Sequence, residues 1–348
     1  MCIQRLVRIN FMFKYASTFK QSKPGFGMTI KNLHVQARVL DEEFSGAVVA
    51  IVNESVHSFH VDENTGSLCS NQGTQFMYSK PLMSGLTNVC YSHDSDALFF
   101  FVADGEILKA SEYSSLLGDV LELQSIGTIT DGIAAVEMDP SEELISLVSN
   151  SNRLYLFSCA FGDLTLKSDL VLDGLVKGTE EVVSVGWGKK ETQFHGSLGK
   201  SAALAKEIIL EKMVLGDDSK PRIAWRQDQH FCVSSCDASR GVRSRKIRVF
   251  SPDGVMLSCS EPVNGLEWPL DWCNDVNVIA STQVNVKGQR QVIFFERNGF
   301  RHHEFTLSRE ELVRGLKWNP SGNLLALLYV DGTVQLWTSL NYHWYLKH

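Results

Sequence analysis

The stretch LKWNPSGNLLALLYVDGTVQLWT, residues 316–338, decides the fold. It holds three apolar runs of strand length, and the polar turns NPSGN and VDGT separate them. Turn residues at this spacing are typical of β-hairpins and leave little room for a helix. The stretch therefore predicts three consecutive strands, the first of which ends at Trp318.

Strands that end in an aromatic residue or Met recur along the chain. The aligned residues Tyr91, Met138, Trp187, Trp225, Trp272 and Trp318 are 47, 49, 38, 47 and 46 residues apart. A repeat of about 40 to 45 residues with four short strands is typical of WD40 β-propellers. The sequence therefore predicts an all-β, seven-bladed WD40-type β-propeller over residues 28–340. Its blades would span residues 40–85, 86–132, 133–180, 181–218, 219–264, 265–311 and 312–340.

The last of these predicted blades shows three strands, and a blade of this type has four. We expect residues 30–38 to supply the fourth strand, because that pairing would cover an exposed sheet edge. The regularly placed tryptophans are expected to pack in the core, since each buries roughly 200 Å².

Composition limits the possible functions. The formal charge of -7 and the pI near 5.8 argue against a surface built as a whole to bind nucleic acid or anionic lipid. Eight cysteines are scattered without a disulfide framework, which indicates a reduced, intracellular protein. The longest apolar runs reach about a third of the roughly 20 residues that a membrane helix needs, so no membrane partner is expected.

Residues 1–27 differ from the rest, with five Lys or Arg side chains and no Asp or Glu. They are either a mitochondrial transit peptide or an upstream extension. Because Met28 directly precedes the first strand-like run, it is the better candidate for the functional start. Residues 1–27 are then expected to be an unstructured extension.

Three fragments are similar to catalytic or metal-binding motifs, but none is complete. GKS at 199–201 lacks the first Gly of a P-loop, and HGSLG at 195–199 lacks the first Gly of a nucleophile elbow. Cys232 and Cys236 have no second Cys or His pair at zinc spacing. The sequence therefore predicts no catalytic residue, no cofactor, no metal site and no small-molecule substrate.

The one basic concentration is SRGVRSRKIR at 239–248. It contains Arg240, Arg243, Arg245, Lys246 and Arg248. These residues would contact RNA phosphates or an acidic protein surface, or they form a solvated hairpin tip whose alternate side chains point apart. No aromatic residues for base stacking interleave with the charges, which favours the solvated hairpin.

An aromatic cluster, Tyr342, Trp344 and Tyr345, follows the last predicted blade within NYHWYLKH at 341–348. Exposed aromatic residues mark partner surfaces. The other interpretation is that the cluster folds back under its own ring, and the sequence leaves both open.

VSVGWGKKETQFHGSLGK at 183–200 is unusual, because its central residues fill a span where a simple hairpin has only turn residues. It resembles the family of the largest subunit of the Elongator complex, also known as the IkappaB-kinase-complex-associated protein. So do VIFFERNGFRHHEFTL at 292–307, KIRVF at 246–250, SEPVNGL at 260–266 and NYHWYLKH at 341–348. The resemblance covers about residues 30 to 348 and leaves residues 1–27 unmatched.

The resemblance implies a non-catalytic scaffold, the first propeller of a longer chain, so that 348 residues would be a fragment, a short isoform or a truncated gene model. The family's complex modifies the wobble uridine of tRNA at carbon 5. Its chemistry belongs to another subunit with radical S-adenosylmethionine and acetyltransferase-like modules. The implied partners are that catalytic subunit and the second propeller subunit, with tRNA reached indirectly. The implied location is the cytoplasm, with the nucleus as a second site.

Two surfaces follow as candidates for partner contact. Residues 341–348 would begin the connection to a second propeller, on which Tyr342, Trp344 and Tyr345 would pack. The other surface would meet another part of the complex through Lys189, Lys190, Gln193 and His195. The alternative function is an independent tRNA-binding propeller that uses the basic stretch 240–248.

Overall fold

The computed structural model consists of β-strands and turns. It describes the side chains of residues 85–92, 94–111, 122–159, 162–175, 214, 217–237, 244–261, 263–275, 277–319, 321–339 and 343–348. Elsewhere it describes the backbone alone, in strands between residues 35 and 77, at 120–121 and at residues 160 and 340. The described part of the chain contains no helix, in agreement with the predicted all-β class.

The strands form six sheets, numbered here in chain order. Sheet 1 contains β1 (Val35–Ala37), β2 (Val48–Val52), β3 (Ser55–Val61), β4 (Leu68–Ser70), β5 (Thr74–Met77) and β9 (Val120–Glu122). Sheet 2 contains β6 (Leu86–Ser92), β7 (Ala97–Val102), β8 (Glu106–Ala110) and β10 (Gln124–Thr128). Sheet 3 contains β11 (Ile133–Met138), β12 (Leu144–Ser149), β13 (Arg153–Ala160) and β14 (Asp163–Val171).

The remaining three sheets follow the same plan. Sheet 4 contains β15 (Arg222–Trp225), β16 (Phe231–Asp237), β17 (Ser244–Phe250) and β18 (Met256–Cys259). Sheet 5 contains β19 (Leu266–Trp272), β20 (Val278–Val284), β21 (Arg290–Glu296) and β22 (Arg301–Thr306). Sheet 6 contains β23 (Val313–Trp318), β24 (Leu324–Tyr329), β25 (Val334–Leu340) and β26 (His343–Leu346).

Sheets 2 to 6 are antiparallel meanders of four strands. In sheets 3 to 6 each strand pairs with the next one in the chain. Sheet 2 differs, because β9 lies between β8 and β10 in sequence but pairs in parallel with β5 of sheet 1. The chain therefore crosses once from sheet 2 to sheet 1 and back.

In sheets 2 to 6 the outermost strand of the meander is less buried than the second strand. All six residues of β7, ALFFFV, and all six of β12, LISLVS, are buried. By contrast, β14 and β22 are mostly exposed. A strand covered on both faces is apolar along most of its length, which explains ALFFFV and the apolar residues of LISLVS. Burying each large apolar side chain contributes about 1.5 to 3 kcal/mol.

The core lies in layers between neighbouring sheets. One layer joins sheets 4 and 5 through residues such as Ile247, Trp272 and Phe295, and a similar layer joins sheets 5 and 6. The first strands β6, β11, β15, β19 and β23 contact one another in that order. Sheets that pack face to face around adjacent first strands form a β-propeller, as predicted.

The aligned residues occupy equivalent positions in these first strands. Met138, Trp225, Trp272 and Trp318 are the last residues of β11, β15, β19 and β23, and Tyr91 is the second-last of β6. Trp225 and Trp272 are buried, which confirms their predicted packing. Trp318 is half-buried, and Trp187 lies outside the described residues.

The predicted source of the last blade's fourth strand is wrong. Sheet 6 takes β26, which pairs antiparallel with β25, and β1 pairs with β2 of sheet 1 instead. The Trp344 ring explains the difference, because it stacks on Phe294 and Phe305 with centroids 5.1 and 5.0 Å apart. A neighbouring segment with its own apolar anchor completes the sheet at a smaller entropy cost than a distant one.

The predicted blades 86–132, 133–180, 219–264 and 265–311 each contain one of sheets 2 to 5. The predicted blade 181–218 does not separate sheets 3 and 4, because these two sheets contact each other directly. Trp225 Nε1 donates to Glu137 O at 3.1 Å, and Asn152 Nδ2 donates to Cys236 O at 3.1 Å. Residues 176–213 lie outside the described residues, so the predicted blade 181–218 and the total of seven stay predictions.

Candidate functional site

Strand β17 carries three of the predicted basic residues, Arg245, Lys246 and Arg248. Side chains alternate along a strand, so Arg245 points to one face of sheet 4, while Lys246 and Arg248 point to the other. We call Arg245 and Arg248, with their partners Asp217 and Asp237, the arginine anchor.

The Arg248–Asp237 pair of the arginine anchor is fully buried. Arg248 Nη2 lies 2.9 Å from Asp237 Oδ2, and neither side chain is more than 1% exposed. Arg248 Nη1 donates to Ser235 Oγ at 3.2 Å, and Nε donates to the main-chain oxygen of Leu175 at 3.2 Å. Asp237 Oδ1 also accepts from the main-chain nitrogen of Gly174 at 3.4 Å. This pair therefore holds the chain just after β14.

The Arg245–Asp217 pair is buried to the same extent. Arg245 forms a bidentate pair with Asp217, with Nη2–Oδ1 at 2.6 Å and Nε–Oδ2 at 2.9 Å, and both side chains are 0% exposed. Its Nη1 donates to the main-chain oxygen of Lys220 at 3.0 Å. Asp217 Oδ1 in turn accepts from the main-chain nitrogen of Ser219 at 2.7 Å. This pair holds the chain just before β15.

The anchor thus fixes both ends of the segment between β14 and β15 to one strand, β17. Removing one partner from a buried ion pair costs about 3 to 5 kcal/mol, since a charge is then left without compensation. Between the two fixed ends, the sequence contains the candidate contact residues. Lys189, Lys190, Gln193 and His195 lie outside the described residues, and their role stays a prediction.

The structure corrects the interpretation of the basic stretch. Arg245 and Arg248 are neither a solvated hairpin tip nor an RNA surface, because their guanidinium groups are buried against carboxylates. Lys246 keeps 18% of its side chain exposed and lies 3.3 Å from Asp237 Oδ2. Arg240 and Arg243 lie outside the described residues.

Sequence analysis missed the acidic half of this site, Asp217 and Asp237. A weak signal was present, because Asp237 ends the strand that pairs with the basic strand β17. Asp217 precedes β15 in the turn-like GDDSK, where an Asp is usually explained by turn formation alone.

The aromatic cluster is divided between the core and the surface. Trp344 is half-buried and packs among Phe294, Phe305 and Trp318. For Trp344, this packing agrees with the interpretation in which the cluster folds back under its own ring. Tyr345 is 50% exposed and remains available for a partner, and Tyr342 lies outside the described residues.

A second charged cluster joins the first strands of sheets 5 and 6. Asp271 accepts from Lys317 Nζ at 2.8 Å and from the main-chain nitrogen of Trp318 at 2.7 Å. Asp271 raises the pKa of the Lys317 ammonium, although 57% of the Lys317 side chain remains exposed. Burial raises the pKa of the nearby Glu137 carboxyl, with Lys317 opposing this shift. These groups connect neighbouring sheets.

The cysteines of the described residues are thiols and not disulfides, and most of them are buried. Burial raises the pKa of the Cys232 thiol well above its usual value, and the same holds for Cys90. Within the described ranges, no three His, Cys, Asp or Glu side chains are arranged to hold a metal ion. Those ranges also contain no helix of the length and hydropathy that a membrane crossing needs.

The chain is similar to proteins of one family. The family model described as ELP1 first N-terminal beta-propeller matches residues 13–348. Elongator complex protein 1 of Oryctolagus cuniculus is 38% identical over 268 residues, which are 73% of this chain and 19% of the relative. The protein of the same name from Saccharomyces cerevisiae is 34% identical over 293 residues, 73% of this chain and 21% of the relative. The chain thus spans about a fifth of the length of these curated relatives.

The match begins at residue 13, so the expectation that all of residues 1–27 lie outside the family is wrong for residues 13–27. Among solved structures, a chain in the crystal structure of the mitotic checkpoint complex is similar with a TM-score of 0.53 and 13% identity. The alignment covers 94% of this chain and 84% of that chain. At this identity the similarity concerns the fold alone.

Proposed function

The chain belongs to the family of ELP1 first N-terminal β-propellers, and on this basis we propose that it is a non-catalytic scaffold of the Elongator complex. In that role it supports modification of the tRNA wobble uridine, while another subunit carries the chemistry. Its partners are the catalytic subunit and the second propeller subunit, and it meets tRNA through the assembled complex. We place this role in the cytoplasm, with the nucleus as a second location.

The arginine anchor is the observation that supports a scaffold best. A scaffold presents partner contacts in a fixed place, so that binding costs little ordering entropy. Arg248 and Arg245 of β17 bond the main chain at Leu175 and Lys220, and Asp237 of β16 bonds the main chain at Gly174. The sequence between these fixed points contains the candidate contacts 189–195, so the anchor would set where they are presented.

The buried charges of the described residues also support a structural role. Asp217 and Asp237 pair with arginines that hold the main chain. Asp271 bonds the first strand of the next sheet through Lys317 and Trp318. Each carboxylate is therefore engaged in holding the propeller together, and we assign no reaction to it.

Affinity purification from cells tests this proposal. The tagged 348-residue chain is recovered beside a tagged full-length relative, and both samples are probed for the catalytic and the second propeller subunits. We expect the chain to recover at least one of them. A combined substitution of Lys189, Lys190 and His195 by Ala should reduce recovery, whereas Lys287→Ala, at the exposed turn between β20 and β21, should not.

Failure to recover either subunit with a folded chain, while the full-length relative recovers both, would contradict the proposed scaffold role of this chain. Equal recovery by the triple variant would remove residues 189–195 as the contact. The melting temperature of each variant shows whether a loss of recovery reflects a loss of fold.

A further inference from the structure

A groove of about 620 Å³ lies between sheets 4 and 5. Leu257 of β18 and Val278 of β20 give it an apolar wall. Arg297, Asn277 and His302 add polar groups to the same groove. This combination of one apolar wall and a few polar groups is typical of sites that bind a side chain or small ligand.

The turn that carries Arg297 is fixed against sheet 4. Gly299 has a φ of 88°, and a Cβ there would lie 2.1 Å from the main-chain oxygen of Cys259. Only glycine permits this close approach. Ser258 Oγ donates to the main-chain oxygen of Arg297 at 2.5 Å, and Glu261 N donates to that of Gly299 at 2.9 Å. Arg297 is therefore held by a rigid turn.

Among the described residues of sheets 4 and 5, no carboxylate neutralises the guanidinium of Arg297. Its Nη2 lies 2.5 Å from His230 Nε2, a nitrogen that accepts only when it carries no proton. In the part of the chain that the structure describes, no carboxylate lies within ion-pair distance of Arg297. A half-buried cation beside an apolar wall attracts an anion more strongly than one in open solvent does.

The carboxylates near the groove already have partners. Glu296 accepts from Asn298 Nδ2 at 3.0 Å and lies 3.2 Å from His302 Nδ1. Asp228 pairs with Arg226 at 3.2 Å. Arg226 also donates to Asn277 Oδ1. The amide nitrogen of Asn277, at the groove, is a donor that could serve a ligand.

We propose that this groove binds an acidic peptide of a partner protein. A Glu or Asp carboxylate of the peptide pairs with Arg297, and a neighbouring apolar side chain packs on Leu257 and Val278. An RNA ligand fits less well, because phosphate backbones are bound by several cations together, and this groove offers one arginine and an apolar wall. None of the residues that line the groove belongs to 189–195 or to β26, so the proposal stands independently of the proposed scaffold role.

Fluorescence anisotropy with the 348-residue chain tests the site. The probe is a labelled peptide of alternating Glu and Leu, and the comparison probes are its Gln–Leu counterpart and a single-stranded RNA. We expect the Glu–Leu peptide to bind more tightly than the Gln–Leu peptide. Arg297→Gln should weaken its binding about tenfold or more, the effect of losing one charge-assisted hydrogen bond. Arg297→Lys should retain part of it, because the charge remains.

Arg301→Gln is the matched control, because it removes the same charge from the adjacent strand β22, where Arg301 pairs with Glu304 at 2.9 Å. It should leave peptide binding unchanged. Equal binding of the two peptides, or an equal loss in both Gln variants, would overturn the proposal. So would RNA binding that depends on Arg297 in place of peptide binding. A second variant, Leu257→Glu, places a negative charge on the wall and should also weaken binding if Arg297→Gln fails to fold.

Discussion

Arg248 and Asp237 form an ion pair between adjacent strands of sheet 4, with Nη2 and Oδ2 2.9 Å apart and at most 1% of either side chain exposed. Arg245, whose side chain points to the other face of the same sheet, forms a second buried pair with Asp217, which precedes β15. Desolvating two ions costs several kcal/mol each, which only good geometry and additional hydrogen bonds repay. Here the additional bonds go to the main chain at Leu175 and Lys220, so the charges fix where the chain leaves β14 and enters β15.

Replacing Asp237 with Leu should destabilise the fold by about 3 to 5 kcal/mol, because Arg248 is left buried without a counter-charge. The free energy of unfolding in urea measures this loss. The double variant Asp237→Leu with Arg248→Met should recover a large part of it, since both charges are then gone. A single variant that costs under about 1 kcal/mol would contradict the burial of the pair, because that is the range of exposed pairs.

Charge reversal at Arg245 should change stability and not RNA affinity. Arg245→Glu sets two carboxylates against each other in a buried site, so we expect a lower melting temperature. RNA binding by the folded fraction, measured by anisotropy at low and high salt, should match the parent chain. A lower RNA affinity without a change in melting temperature would instead favour the RNA-binding alternative for this stretch.

Trp344→Ala should destabilise the fold by about 2 kcal/mol, roughly half the cost of truncating a fully buried Trp. Its ring is half-buried and stacks on Phe294 and Phe305. Tyr345→Ala, one residue further and 50% exposed, should change stability by less than about 0.5 kcal/mol. Denaturant unfolding of both variants checks the contrast. Equal effects would show that β26 is not held by Trp344.

Glu137→Gln should flatten the dependence of stability on pH. Burial raises the pKa of Glu137 above its ordinary value of 4.5, and Asp271 adds to this while Lys317 opposes it. The folded state then holds the proton more tightly than the unfolded chain does. Glu137 therefore contributes stability that is fully present below pH 4.5 and is lost as the pH rises through the folded pKa.

Urea unfolding at a series of pH values measures that loss. From pH 4.5 upward the parent should lose more stability than the Gln variant, because Gln has no proton to release. Other acidic groups titrate in both chains, so the difference between the two curves isolates Glu137. Parallel curves would show that its pKa is the same in the folded and unfolded states.

The fold could be predicted from sequence because its signals are local. Trp225, Trp272 and Trp318 end equivalent strands, and the turns between strands are marked by Gly, Asp and Asn. Strand pairing within each meander needs only neighbouring residues. The repeat was therefore visible without any knowledge of how the sheets pack.

The ion pairs could not be predicted in this way because their partners are set by tertiary packing. Arg245 and Asp217 are 28 residues apart. Nothing in the basic stretch shows that its arginines point inward. The same limit affected sheet 6, since Trp344 is identified as a core residue only once Phe294 and Phe305 are placed beside it.

The order in which the strands of each sheet occur in the chain, with β26 directly after β25, has a consequence for biosynthesis. Sheets 3 to 6 each consist of four strands that are consecutive in the chain, so each sheet can form as soon as its own residues leave the ribosome. Sheets 1 and 2 are interleaved in the chain, and sheet 1 must wait for β9, which is synthesised after β8 of sheet 2. Domains fold from the N-terminus during synthesis, and exposed strand edges favour aggregation. The edge of β5 that pairs with β9 therefore stays open while β6, β7 and β8 are synthesised.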